Sequence, residues 1–530
     1  MNDEFDTLVH EAFYSFMEFR PDFATHFGLH YYDKKMPSGA RESYLAFIEV
    51  LSEYLQKFLS VPKEDLSPER QIDRDIMVYT LKLTLFRERE IRQWEKYPNP
   101  ADVIGFAIHT LFSREFASFE KRLESITARL LQCPQFIEEF KSRVRTPPTL
   151  WKDLATETCN SLPRLFQTIS TAAHQEGLDT SELDEAAAQT GDALTKYTEW
   201  LTSVPGEEAF NLGKDMFEKL LSVRGLGLAS DEILKIGKDY LKKGKERLRE
   251  LAPIIDPSST VEEVRTRIRN DHPPTFQDAL EEYRKTIDRM RKIVIEKGFA
   301  SLPEGEHLTV QETPPFLRHV IPTAAYMNPA KFEKDQKGIY FVTSVEGDLL
   351  REHNYANIVN TSVHEGYPGH HVQLSWANKN PSLVRALCFA PEFVEGWAHY
   401  CEERMRDYGL NDTVLQFEQA LDIIFKAVKI ILDVKLHCGE MTFDEAVSLL
   451  QSETGMEQYA AVAQVKYHTL HPGYPLSYLL GKHFLLQLQK EVQNHLKEKY
   501  SEKQFHNIIL QAGSIPFPYL REELKMKGML

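Results

Sequence analysis

The segment Thr361-Ser362-Val363-His364-Glu365-Gly366-Tyr367-Pro368-Gly369-His370-His371 gathers three imidazoles and a carboxylate within eight residues. A His-Glu pair with a second His one turn later is how a helix presents two zinc ligands and a general base. Here Pro368 takes the i+4 place, and the next histidines stand at 370 − 364 = 6 and 371 − 364 = 7. On an ideal helix six residues mean roughly 9 Å of rise and about 240° of rotation, too far apart for two ligands of one ion. The helix must therefore bulge or break. Pro368 lacks an N–H and its ring clashes with the His364 carbonyl, while Gly369 can take a backbone conformation closed to other residues. Tyr367-Pro368-Gly369 reads as an inserted bulge that swings His370 back toward His364. The alternative is a helix that ends at Pro368 with surface histidines beyond it.

A third ligand should come from another helix. Glu392-Phe393-Val394-Glu395-Gly396-Trp397-Ala398-His399-Tyr400-Cys401-Glu402-Glu403 supplies it: Glu395 lies 395 − 370 = 25 residues after His370, one helical hairpin away. His399 (i+4) and Glu402 (i+7) share its face, and either could orient a ligand from behind. The competing reading of Glu402 and Glu403 is a solvated acidic turn. The expected zinc ligands are His364, His370 and Glu395, with Glu365 as general base.

These residues resemble the gluzincin metallopeptidases, the clan of thimet oligopeptidase and angiotensin-converting enzyme. The closer match is the family of domain of unknown function 885. Its His-Glu-x-x-Pro-Gly-His-His and Glu-Gly-Trp-Ala motifs are intact here at His364–His371 and Glu395–Ala398. Its Pro-Gly-Gln-Ala-Leu-Ser-Tyr motif is similar to Pro472-Gly473-Tyr474-Pro475-Leu476-Ser477-Tyr478, departing at Tyr474 and Pro475. Its tail is similar to Phe505-His506 through Gly513-Ser514-Ile515-Pro516. The resemblance implies an oxyanion-stabilising Tyr or His downstream of the zinc helix; Tyr478 is the first choice, His471 the next, and the altered Tyr474 weakens the carry-over at that position. It also implies a mainly α, large helical peptidase-like fold with a deep cleft and a small β-sheet beside the zinc helix.

The remaining chain must position that site. Its 530 residues, 42% hydrophobic, suffice for a large core. One metallopeptidase-like domain spanning 1–530 is expected, with a helical half over 1–300 and a zinc-site half over 301–530. Apolar stripes at helical spacing recur, as in Tyr44, Phe47, Ile48, Leu51, Tyr54, Leu55 and Phe58, and again over Ile72–Phe86 and Phe116–Phe140. Pro147-Pro148, Pro253, Pro257 and Pro273-Pro274 mark turns. Thr260-Val261-Glu262-Glu263 and Thr442-Phe443-Asp444-Glu445 are capping boxes. Glu306–Gln311 and Gly338–Thr343 are the strand candidates, joined by Pro322–Lys337. They form either an edge that pairs with extended substrate or a plain hairpin over the core. The zinc helix itself is expected from Glu352 to Val363.

A net charge of −16 argues against a nucleic-acid partner. The five cysteines are scattered and odd in number, which reads as reduced thiols in a cytoplasmic protein. The acidic Met1–Asp6 suggests no signal peptide, and Ala420–His437 is too charged to span a membrane. The expected activity is a Zn²⁺-dependent metallopeptidase acting on short peptides, of oligopeptidase or carboxypeptidase type. Two alternatives stand beside it: a zinc amidohydrolase on an acylated amino acid or other non-peptide amide, and a non-catalytic helical binding protein.

Overall fold

The computed structural model describes residues 1–314, 318, 321, 323–345 and 347–530. The chain forms two compact units. The first is Met1–Phe210 with Ala330–Asp335, and the second is Asn211–Pro329 with Gln336–Leu530. Both are built of helices, as the apolar stripes require.

In the first unit the stripe over Phe116–Phe140 divides into helices Phe119–Leu130 and Cys133–Phe140. The buried Arg129 guanidinium ties them to their neighbours by donating to the carbonyls of Lys35 and Ala107 and to Thr25 Oγ1. The Ala330–Asp335 segment joins this unit through Phe332, whose amide donates to the Phe27 carbonyl and whose ring meets Phe13 edge-on.

The second unit holds every expected site residue. Its principal elements are α1 (Ser230–Ile255), α2 (Phe276–Lys297), β1 (His307–Glu312), β2 (Ala324–Met327), β3 (Lys337–Val342), α3 (Tyr355–Glu365) and α4 (His370–Lys379). They continue with α5 (Pro391–Arg404), α6 (Thr413–His437), α7 (Gln458–Leu470) and α8 (Ser477–Leu496). Two helix pairs approach closely through glycines. A Cβ on Gly237 or Gly244 of α1 would meet Ile430 or Ile424 of α6 at 2.8 and 2.7 Å. A Cβ on Gly481 of α8 would lie 1.8 Å from the Glu392 carbonyl of α5, opposite Gly396. Both capping boxes form, at Thr260 and Thr442. Pro253, expected at a turn, instead lies inside α1 two residues before its end, where its missing N–H removes one hydrogen bond from the last turn.

The three-stranded sheet has the order β1-β3-β2. β3 pairs parallel with β1, His307 opposite Lys337, and antiparallel with β2, Ala324 opposite Val342. The two expected strands appear, each shifted by one residue. They are not a hairpin: a parallel pair needs a long connection, and β2 lies within it. Pro322, at the start of the expected joining stretch, lies outside the described residues. β3 is an apolar run buried from Gly338 to Val342, as a central strand covered on both faces should be. No described helix is long and apolar enough to cross a membrane. None of the five cysteines is in a disulfide.

Candidate metal centre

α3 starts on an Asn354 cap, whose side chain accepts from the Asn357 amide, and ends at Glu365. The segment Glu352–His353 belongs to a preceding 3₁₀ turn and not to the ligand helix, whose start is fixed by that cap. Gly366–Gly369 then reverses the chain, and α4 begins at His370. The helix therefore breaks before Pro368, where a bulge at Tyr367–Gly369 was expected. The two glycines allow it by lacking a Cβ, since both have negative φ. A Cβ on Gly369 would lie 1.9 Å from the His364 carbonyl, and one on Gly366 2.3 Å from Ile287 Cδ1 of α2. The Gly369 amide donates to the Val363 carbonyl, and the Pro368 carbonyl accepts from buried Trp397 Nε1 at 2.8 Å. The Glu-Gly-Trp-Ala motif thus clamps the linker with its Trp while its Gly lets α5 seat on α8.

This fold-back brings the His364 and His370 rings to 4.7 Å, nearly perpendicular. His364 Nε2 and His370 Nε2 lie 3.7 and 3.6 Å from the same oxygen, Glu395 Oε2. One ligand atom from each of these three residues falls within 4.8 Å of the others. His371, one residue on, points elsewhere. Its Nε2 meets Glu306 Oε2 at 2.6 Å and its Nδ1 the Tyr326 hydroxyl at 3.1 Å. Glu306 also accepts from Tyr367 and from Arg291, so it anchors the linker from beneath. Gly338 of β3 makes room for His371, because a Cβ there would lie 2.7 Å from its Nδ1.

Glu402 is buried and belongs to the centre. Its Oε1 meets His364 Nδ1 at 2.7 Å and His399 Nδ1 at 3.2 Å. The acidic-turn reading fails for it because i+7 returns it to the Glu395 face of α5. Glu403, one step round the helix, is half-exposed and pairs with Lys482. His364, His399 and Glu402 form a second possible ligand group. The hydrogen bond from His364 Nδ1 to Glu402 favours the first group. It commits that nitrogen to a carboxylate and leaves Nε2 toward Glu395, the usual arrangement of a metal-binding imidazole.

The charges follow the geometry. Burial opposes a charged imidazole at His364, yet its bonds to Glu395 and Glu402 push it up to about 10. Burial likewise opposes a charged Glu395, and His364 and His370 overcome it, holding the carboxyl well below its usual range. The His370 Nδ1 and His399 Nε2 atoms are buried without hydrogen-bond partners among the described residues. Two carboxylates and facing imidazole nitrogens, buried together with such orphans, suit a small borderline-soft cation such as zinc.

Glu365, the last residue of α3, is half-buried. Burial and its carboxylate together hold the Tyr283 and Tyr478 phenols above their ordinary value. Of the expected oxyanion donors, Tyr478 sits at the centre, its ring 5.7 Å from His399 and 6.0 Å from Tyr474. His471 is exposed, stacked on Tyr467, with its Nδ1 at 2.8 Å from the Tyr467 carbonyl. Tyr474, where the family pattern is altered, reaches the centre most directly: its hydroxyl donates to Glu395 Oε1 at 2.6 Å. Asp433 holds this loop by accepting from the Gly473 and Leu476 amides, and burial lifts its carboxyl to about 7. Glu306 escaped the sequence reading, standing in the expected strand with nothing to mark it, while Tyr474 was marked there only as a departure from the family motif.

The family described as "Bacterial protein of unknown function (DUF885)" matches residues 21–524. Two solved structures share the fold over nearly the whole of both chains. One is described as a "putative lipoprotein of unknown function" from Shewanella oneidensis: TM-score 0.80, 19% identity, 98% of this chain and 99% of that one. The other is described as the "putative lipoprotein" from Colwellia psychrerythraea: TM-score 0.83, 18% identity, 99% and 98%. No curated protein matches the chain.

Proposed function

The chain belongs to the bacterial family of unknown function DUF885, and for this member we propose a zinc-dependent hydrolase of peptide bonds. The observation that carries the reading is the meeting of His364 Nε2 and His370 Nε2 on one oxygen of Glu395, with Glu365 next in sequence to the first. His364, His370 and Glu395 would hold the ion. When bound, zinc supplies Lewis-acid polarisation of the scissile carbonyl and makes water more acidic.

The chain's own residues do the rest. Glu402 holds the His364 proton on Nδ1, so that Nε2 is free to ligate. Glu365 accepts the proton of the attacking water and returns it to the leaving nitrogen. Tyr478, kept protonated by burial and by the nearby Glu395 charge, donates to the oxyanion. β1 is an edge strand among the described residues, its Leu308 lying against Gly366, and a sheet edge there suits an extended peptide. The resemblance of the His-Glu and downstream Glu motifs to the gluzincin metallopeptidases supports peptides as the substrate class. The test has two parts: metal analysis of protein purified without added metal, and turnover of a short-peptide library by the parent and by Glu365→Gln. One zinc per chain with Glu365-dependent cleavage is expected. Absence of zinc binding at micromolar concentration refutes the reading.

A further inference from the structure

Two of the three lysines of α6, Lys426 and Lys429, lie over the Tyr478 ring, and the chemistry above does not use them. Lys429 is buried, with its ammonium 4.4 Å from the Tyr478 ring centroid and 4.8 Å from that of Phe425. Lys426, one turn earlier, lies over the same two rings at 4.7 and 5.0 Å. Lys426 reaches Asp422 Oδ1 at 3.5 Å, whereas Lys429 has no ion-pair partner among the described residues. Aromatic faces attract a cation without neutralising it, and a buried ammonium ordinarily has a carboxylate beside it. The nearby acids, whose charges also act on Lys429, face other groups more closely. Glu395 faces His364, His370 and Tyr474; Asp422 faces Lys426 and His399.

A third group lies beside them. His468 of α7 is wholly buried, has neither ring nitrogen hydrogen-bonded among the described residues, and is held well below its ordinary value, hence neutral, by burial and the Lys429 charge. Tyr478 joins the two lysines to the candidate metal centre, since the ring that both ammonium groups cover also packs against His399. Lys429 and Lys426 supply two ammonium groups and the neutral His468 a ring N–H, a donor set that an anion would complete.

We propose that Lys429, with Lys426 and His468, binds the free C-terminal carboxylate of the substrate, which makes the substrate class short peptides with an unblocked C-terminus. The proposal rests on the peptidase reading above. Ammonium-to-carboxylate hydrogen bonds in a dry site are strong, and a site built for one polar group rejects the analogue that lacks it. A C-terminal amide would leave Lys429 buried and unpaired. Burial holds the Lys429 ammonium down to about 7, and a bound carboxylate would raise it again.

The experiment compares a library of short peptides with the same library amidated at the C-terminus. Turnover is read on the parent, and affinity by calorimetry on zinc-loaded Glu365→Gln, using tetra-alanine and its amide. The free acid should be favoured at least tenfold in both. Lys429→Met should bring the acid-to-amide ratio close to 1, a loss of about 10- to 100-fold, with zinc content and circular dichroism unchanged. Lys426→Met, on the half-buried member, should shrink the ratio in the same direction and serves if Lys429→Met does not fold. Equal handling of acid and amide by the parent overturns the carboxylate site. So does a preference that survives both lysine variants, the result expected if the metal itself grips the carboxylate, and so does acid binding undetectable at millimolar concentration. If the parent cuts neither library while Glu365→Gln still binds the acid in a lysine-dependent way, the hydrolase reading fails and the carboxylate site stands.

Discussion

Glu365 follows the proposed ligand His364 directly, so the helix turns it roughly 100° away from that residue. That separation puts it beside the centre without making it a ligand. Glu365→Gln should keep stoichiometric zinc and the melting temperature of the parent while losing about 10²- to 10⁴-fold in kcat, the usual range for a general base. Tyr478→Phe should likewise keep metal and fold and lose about 10²-fold, read as a fall in kcat with little change in KM. His364 makes a prediction about pH. Its imidazole is raised to about 10 in the metal-free protein, so it is protonated at neutral pH and zinc must displace that proton. Apparent zinc affinity should therefore climb about tenfold per pH unit between pH 6 and 8, and calorimetry in buffers of different ionisation enthalpy should find about one proton released per ion. A pH-independent affinity would show that the imidazole is already neutral.

At the scale of elements, the centre depends on a four-residue reversal between α3 and α4. The ligand spacing that defeats a straight helix works because Gly369 packs where any side chain would strike the His364 carbonyl. Gly369→Ala changes no ligand, yet it should weaken zinc binding more than tenfold and lower the melting temperature. Gly191→Ala is the control. It lies within the helix Ser181–Ser203, a Cβ there meets nothing within 4 Å, and its small propensity gain of about 0.5–1 kcal/mol should leave zinc affinity untouched. Equal zinc affinity of Gly369→Ala and the parent would show that the reversal tolerates a Cβ, against the contacts described.

For the whole molecule, the metal should stabilise one unit selectively. All three proposed ligands belong to the unit formed by Asn211–Pro329 and Gln336–Leu530. A ligand that binds only the folded state adds about 2.7 kcal/mol at one hundred times its Kd. Chelation should therefore speed hydrogen exchange in α3, α4 and α5 and leave the helices of Met1–Phe210 unchanged, measured by mass spectrometry with and without chelator. Exchange that changes evenly across both units would contradict a local centre.

The helical class and the candidate cluster of His364, His370 and Glu395, with Glu365 beside it, were legible in the chain. Their signals are local: residue type, spacing, and the 3.6-residue period of apolar side chains. The capping boxes at Thr260 and Thr442 were legible for the same reason, each being a contact between residues three apart. The six-residue spacing of His364 and His370, with Pro368 and Gly369 between them, showed that the helix must be interrupted, but the conformation of the interruption followed from neighbours. A bulge and a break spend the same residues, and Ile287 on α2 and Trp397 on α5 select the break. Tertiary structure alone decided that His371 turns to Glu306, that Glu402 lies behind His364, that Tyr474 reaches Glu395, and that β1 and β3 run parallel. Each of these is a pairing between residues tens of positions apart. No periodicity encodes such a pairing; it exists only once packing has closed the intervening chain.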